Sequence, residues 1–313
     1  MRELRTLLAA GGFVFAAAAF ALVLAFGRAE SQPVKAFQIP ATPVMDPQEA
    51  AEILKRMQEE RLRKAMEEEV RKKRALSEKV RDEIRKKYGG KLPEKIVLQS
   101  DIVLPGPFGS NKKIRKKSDP VIVYPHKRRV EFRVFANKVT RAGGRVEFLL
   151  CNSQMPSQAY ESVLITNAHP YDVFRALALL ELKPIFGVRF KQTPEDLSGD
   201  MVNIYLIWKD KSGKTIKRHA SELVWNLGAS KPARRTPWVF IGSGFGIDPA
   251  TKKEFFVAKE SGNIISVVHW PAVILDTPYA EFGYDDYVVN PKKVPPAGTE
   301  MTLVIEPITQ EKK

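Results

Sequence analysis

"AYESVLITNAHPYDVFRALALLEL" (159–182) sets a strand directly against a helix. "SVLITNA" is a short, apolar, β-branched run of strand character. His169-Pro170 then opens a segment in which Val173, Leu177 and Leu180 share one helical face, with Phe174 beside them. Working outward, strand-like runs precede this unit at "PVIVY", "RRVEFRVFANKV" and "GRVEFLLC". More follow it at "MVNIYLIWKD", "KTIKRH", "PWVFIG", "NIISVV", "AVILD" and "MTLVIEP". A short second helix is expected near Ser221 to Trp225. Strands therefore dominate, with one principal packed helix, and the expected class is α+β with a mainly antiparallel sheet. This folded domain is placed at 119–310, with 311–313 as a tail.

The same stretch raises a question of chemistry, because Glu161, Ser162 and His169 crowd around the strand. Seven residues of extended chain separate Ser162 from His169 by about 20 Å, and the odd spacing points them to opposite faces. The pair is therefore not expected to act as nucleophile and base. His169 reads instead as a positioning residue ahead of the helix.

Upstream of the domain the chain changes character. Arg2 and Arg5 precede an uncharged run from Thr6 to Phe26, the pattern of an export signal in 1–29. Small residues at Gly27 and Ala29 suit a signal peptidase, but the run approaches the length of about 20 residues that spans a bilayer. An uncleaved anchor is preferred over cleavage, and either outcome places the remainder outside the cytoplasm.

A linker (30–45) leads to a long charged helix (46–88). Asp46, Pro47 and Glu49 form its start signal, and Gly89-Gly90 its stop. Its length would be about 64 Å at 1.5 Å per residue. Pairs such as Glu60 with Lys64 and Glu68 with Lys72 stiffen it. Its apolar positions recur mostly every fourth residue, so a solvent-exposed strut is expected, with a weak coiled coil and homo-oligomer as the alternative.

Residues 89–118 read as a Pro/Gly-rich basic linker with seven basic and two acidic residues. Its patch of Lys112, Lys113, Arg115, Lys116 and Lys117 suits anionic lipid headgroups or envelope polymers outside the cytoplasm. No nucleic-acid partner is expected.

Other motifs are set aside on physical grounds. "IGSGFGIDP" (241–249) follows a strand but opens no helix, so it is read as a turn rather than a phosphate loop. The single cysteine, Cys151, excludes an intramolecular disulfide and an iron–sulfur cluster held by one chain. His126, His169, His219 and His269 are scattered singly, and neither a metal nor a cofactor is expected. Trp238 and Trp270 are candidates for an aromatic binding groove.

Three blocks, "YESVLITNAHPYDVFRALALLELKP" (160–184), "TPWVFIGSGF" (236–245) and "SGNIISVVHWPAVILDTP" (261–278), stand in an order and spacing that resembles the YdjY-like domain of exported bacterial proteins. Members of that family usually carry a histidine where Tyr160 stands here, and histidines where this chain has Asp172 and Phe174. Matching residues include Glu161, Ser162, Trp238, Ser243 and Asp276. The resulting expectation is an exported, membrane-anchored binding or scaffold protein engaging an envelope protein or polymer. The opposing expectation is an envelope hydrolase using Glu161 or Asp276 as acid–base group, with Ser162 or Ser243 nearby.

Overall fold

The computed structural model describes residues 46–105, 113–139, 144–185, 199–233, 235–277 and 286–308. The export signal or anchor, the 30–45 linker and Lys112 lie outside the described residues. By contacts the chain divides into Met1–Leu54 and Lys55–Lys313, and the packing described below belongs to the second unit.

The first half runs α1 (Pro47–Lys87), β1 (Ile96–Leu98), β2 (Asp101–Pro105), β3 (Lys113–Lys117), β4 (Val121–Tyr124), β5 (Arg129–Ala136), β6 (Phe148–Asn152), β7 (Ser162–Thr166) and α2 (Pro170–Leu179). The second half runs β8 (Met201–Lys209), β9 (Thr215–His219), β10 (Val224–Asn226), β11 (Lys231–Pro232), β12 (Trp238–Phe240), β13 (Phe245–Ile247) and β14 (Glu254–Phe256). It ends with β15 (Asn263–Ser266), β16 (Leu275–Asp276), β17 (Tyr287–Val289) and β18 (Glu300–Pro307). The α+β class and the dominance of strands agree with the sequence. The second helix expected near Ser221 is a 3-10 turn, Ala220–Leu223.

Closure of the sheet is the feature that local pattern does not reveal. Eight strands pair in the order β5-β18-β8-β12-β16-β15-β6-β7, and β7 returns to β5 through Phe135↔Ile165 and Ala136↔Leu164. The result is an eight-stranded barrel, narrow enough for side chains to fill its interior. Only β6–β7 and β15–β16 run parallel in that circuit. In β5 the alternation is clean: Val130, Phe132, Val134 and Ala136 are buried while Arg133 faces water. Their registered neighbours Leu303 and Leu206 are also fully buried, which carries one apolar face around the barrel.

Helix α2 packs against this barrel, and its start follows directly from "AHPYD". His169 is its N-cap, with Nδ1 accepting the Tyr171 N–H at 3.1 Å, and Pro170 occupies the first turn. Asp172 is wholly buried and accepts from Ser100 N (2.6 Å) and Ser100 Oγ (2.7 Å), tying the helix to the β1–β2 turn. The helix ends in a Schellman motif: Leu182 N–H bonds Leu177 O, and Glu181 N–H bonds Ala178 O. Glu181 holds the left-handed position there at φ 63°.

Two expectations are corrected. The long helix is not a free strut along its whole length. Met57 and Leu62 are exposed, but Lys73, Ser77, Val80 and Ile84 are buried against the domain. These four positions step by four, three and four, the spacing of a packing stripe. Two of them are polar, which hid the stripe from a reading that counted apolar residues. Because Val80 and Ile84 sit in the chain's own core, this half does not offer them to a coiled-coil partner.

The basic linker is also structured. β1 pairs with β4, burying Ile96 and Leu98 in the main core, so the packed domain begins ahead of residue 119. β2 and β3 form an antiparallel hairpin. On β3, Lys113, Arg115, Lys116 and Lys117 are exposed, and Lys117 pairs with Asp101 at 2.7 Å.

Candidate functional site

Ser266 is the last residue of β15 and Asp276 the last of β16, and these strands lie side by side in parallel. The connection between them, 267–274, is short for a parallel crossover, which ordinarily needs a dozen or more residues. It places His269 and Trp270 directly beside the two strand ends.

Asp276 is fully buried and is the centre of the cluster. Its Oδ1 accepts from Ser266 Oγ at 2.5 Å, Thr277 N at 2.9 Å and Trp270 N at 3.4 Å. Its Oδ2 lies 3.3 Å from His269 Nδ1. Burial pushes the carboxyl above its ordinary value, and the bonds from His269 and Ser266 pull it back. The other imidazole nitrogen, His269 Nε2, is buried with no hydrogen-bond partner among the described residues. A carboxylate that holds Nδ1–H leaves Nε2 as a proton acceptor, an arrangement suited to orienting a base or a ligand. The hydroxyl is on the wrong partner for a nucleophilic triad, because Ser266 donates to the carboxylate and not to the imidazole.

The other sequence candidates distribute around this cluster without joining it. Ser243 stands in a turn at φ 64°, after Gly242 at φ 72°. Its N–H bonds Val273 O at 2.7 Å and its Oγ donates to Ala272 O at 3.1 Å. Ser243 therefore clips the "IGSGF" turn to the loop that bears His269 and Trp270. A side chain on Gly242 would meet Pro184 Cβ at 2.8 Å, so glycine is required there by contact as well as by φ.

Ser162 is fully buried, and its Oγ donates to Leu164 O at 2.7 Å. It registers with Phe148, which in turn registers with Ser266, so two strands intervene between Ser162 and Asp276. Glu161 is buried in the 3-10 turn Ala159–Glu161 ahead of β7. Its charge contributes to raising the nearby Cys151 thiol, which burial pushes up to about 12. That thiol is inert at neutral pH.

The two tryptophans pack in different clusters. Trp238 belongs to the larger buried cluster and donates from Nε1 to Ser266 O at 2.9 Å. Trp270 packs edge-on against Phe148 at 5.3 Å, in the smaller cluster with Val239 and Val273. Of the remaining histidines, His169 caps α2 and His219 Nδ1 lies 2.7 Å from Ser221 Oγ. Among the described residues no group of His, Cys, Asp or Glu is arranged to hold a metal.

His269 and Ser266 escaped the sequence reading. "SVVHWPAVILD" would have been read correctly only if its two strands had been known to pair in parallel.

With this geometry in place, the comparisons are informative in one respect. The YdjY domain family profile matches residues 121–306 of the chain. No curated protein matches, and no solved structure matches.

Proposed function

The chain belongs to the YdjY domain family, and from that premise we propose that it is an exported, membrane-anchored binding or scaffold protein of the bacterial cell envelope. The observation that carries binding over hydrolysis is the fate of the serine hydroxyls. Ser162, Ser243 and Ser266 donate to Leu164 O, Ala272 O and Asp276 Oδ1, and none of them to an imidazole. Export and anchorage are supported by Arg2 and Arg5 ahead of the uncharged run Thr6 to Phe26. A scaffold role is supported by α1, whose buried stripe from Lys73 to Ile84 removes any hinge between that half of the helix and the barrel.

A second reading, acid–base chemistry on an envelope substrate, is favoured by one feature, the His269–Asp276 pair with Nε2 uncommitted.

Protease treatment of spheroplasts and of intact cells carrying the C-terminally tagged full chain tests the first reading. The expected result is digestion only in spheroplasts, with the tag in the membrane fraction. Protection until the inner membrane is lysed would overturn it. Turnover of ester, glycoside or peptide probes that vanishes in His269→Asn would replace the binding reading by the second.

A further inference from the structure

A cleft of about 230 Å³ lies between α1 and the segment that leaves α2, lined by Arg74, Ser77, Glu78, Arg81, Leu182 and Lys183, and closed by Pro184. We propose that this cleft is a binding site for a diphosphate, or for two closely spaced phosphate groups. The inference deepens the binding reading by naming a ligand class, and it rests on that reading only for where the ligand is met.

The cleft is built rather than incidental. Its floor is apolar and fixed, since Leu182 and Pro184 are buried and Lys183 N–H bonds Asp200 Oδ2 at 2.6 Å. Its opposite wall is the docked half of α1, where Ser77 is buried and its Oγ donates to Lys73 O at 3.0 Å. Three cations line it against one carboxylate, Glu78, which stands 3.9 Å from Arg81.

Those cations are largely unspent. Arg74 and Lys183 are exposed, and neither side chain has a hydrogen-bond or ion-pair partner among the described residues. Arg81 is partly buried and donates from Nη1 to Ala178 O at 3.5 Å, at the C-terminal end of α2. Elsewhere on the docked half of α1 three cations are committed: Lys72 to Glu254, Lys73 to Glu69 and Arg85 to Glu181. Arg74 and Lys183 thus face one cleft from its two sides, one from α1 and the other from the segment that leaves α2.

Spacing selects the ligand. Arg74 and Arg81 lie seven residues apart, two helical turns, or about 10 Å along the axis. Two phosphate groups match that spacing with less bending of the side chains than a single phosphate requires, so a diphosphate or adjacent phosphodiesters can bridge the forks with Lys183 across the cleft. The guanidinium fork matches phosphate oxygens in bidentate fashion. Glu78 between the arginines disfavours a deeply inserted single anion and leaves the two ends as the binding points.

The experiment is calorimetric titration of the full chain in detergent with inorganic pyrophosphate and with orthophosphate, at fixed ionic strength. Saturable pyrophosphate binding is expected, tighter than orthophosphate. It should weaken at least tenfold in Arg74→Glu/Lys183→Glu, whose exposed positions leave the fold intact by circular dichroism. Lys113→Glu/Arg115→Glu on the exposed strand is the charge-matched control and should retain binding. Absence of saturable binding, or equal loss in both double variants, overturns the proposal.

Competition by phosphatidylglycerol vesicles against pyrophosphate would assign the phosphates to lipid headgroups, and failure to compete would assign them to a soluble or polymeric phosphate. A cytoplasmic location with intact pyrophosphate binding would remove the envelope assignment and leave the cleft standing.

Discussion

Asp276 Oδ2 lies 3.3 Å from His269 Nδ1 while Asp276 Oδ1 takes the Ser266 hydroxyl at 2.5 Å, so one buried carboxylate fixes both side chains. Its carboxyl is held above 3.8 by burial. A group whose folded value is raised binds more protons in the native state, so its contribution is present at low pH and lost as pH rises through the folded value. Relative to Asp276→Asn, the wild-type chain is therefore expected to gain stability as pH falls toward 3.8, measured by urea midpoints. The opposite trend would sink the assignment. Asp276→Ala leaves the Ser266 hydroxyl and the Thr277 N–H without their acceptor in the core, and a loss of about 3 kcal/mol is expected.

Lys73 is fully buried, with Nζ 2.7 Å from Glu69 Oε1 and 3.3 Å from Ile185 O. Burial lowers its value from 10.5, against the pull of Glu69. Removing the neighbouring carboxylate, in Glu69→Gln, takes away a charge that offsets the burial of the ammonium and should cost about 1 to 2 kcal/mol, discounted because Glu69 is partly solvated. Lys73→Met should be neutral or stabilising. For a base with a lowered folded value, stability rises with pH between that value and 10.5, so the advantage of Lys73→Met should shrink at alkaline pH. Chemical denaturation of the three proteins at neutral and alkaline pH reads both effects.

His219 is buried, and burial, with Arg235 adding to it, lowers its imidazole from 6.5 to about 4. The unfolded chain takes up this proton first, so stability should fall as pH drops from about 6.5 to about 4 and then level. The expected span is about 3 kcal/mol. His219→Gln should flatten that part of the profile, and an unchanged slope would show that other groups carry it.

Glu181 ends α2 at φ 63°, a position glycine occupies without strain. Its exposed ion pair with Arg85 contributes little. Glu181→Gly should raise stability by about 0.5 to 1 kcal/mol, read as a higher melting midpoint. A lower midpoint would mean that the Arg85 pair outweighs backbone strain.

Val80 is 1% exposed on the docked face of α1. Val80→Asp should undock residues 69–88 and abolish slow amide exchange there, while a charge at exposed Met57 should change nothing. Equal exchange in both variants would contradict the docking.

Much of the local structure was legible. The alternation in "RRVEFRVFANKV" gave β5, and His169-Pro170 with Val173 and Leu177 gave α2 and its cap. The "IGSGF" turn and the unreactive Cys151 were legible too, since glycine and a single buried thiol are constrained by chemistry that acts locally. The candidate site was half legible: Asp276 and Trp270 stood out, but the pairing of His269 and Ser266 with Asp276 did not.

By itself the sequence determined the main strands from β4 onward, such as β5, β8 and β18, and where α2 begins, because periodicity and capping act over a few residues. Tertiary structure alone decided three things. β7 closes the barrel on β5, Lys73 and Ser77 belong to a buried stripe, and a short parallel crossover sets His269 on Asp276. The first two depend on which surfaces meet across long stretches of chain and the third on how two neighbouring strands pair, none of which local periodicity encodes, and burial accepts polar residues at these places because the tertiary structure supplies their partners.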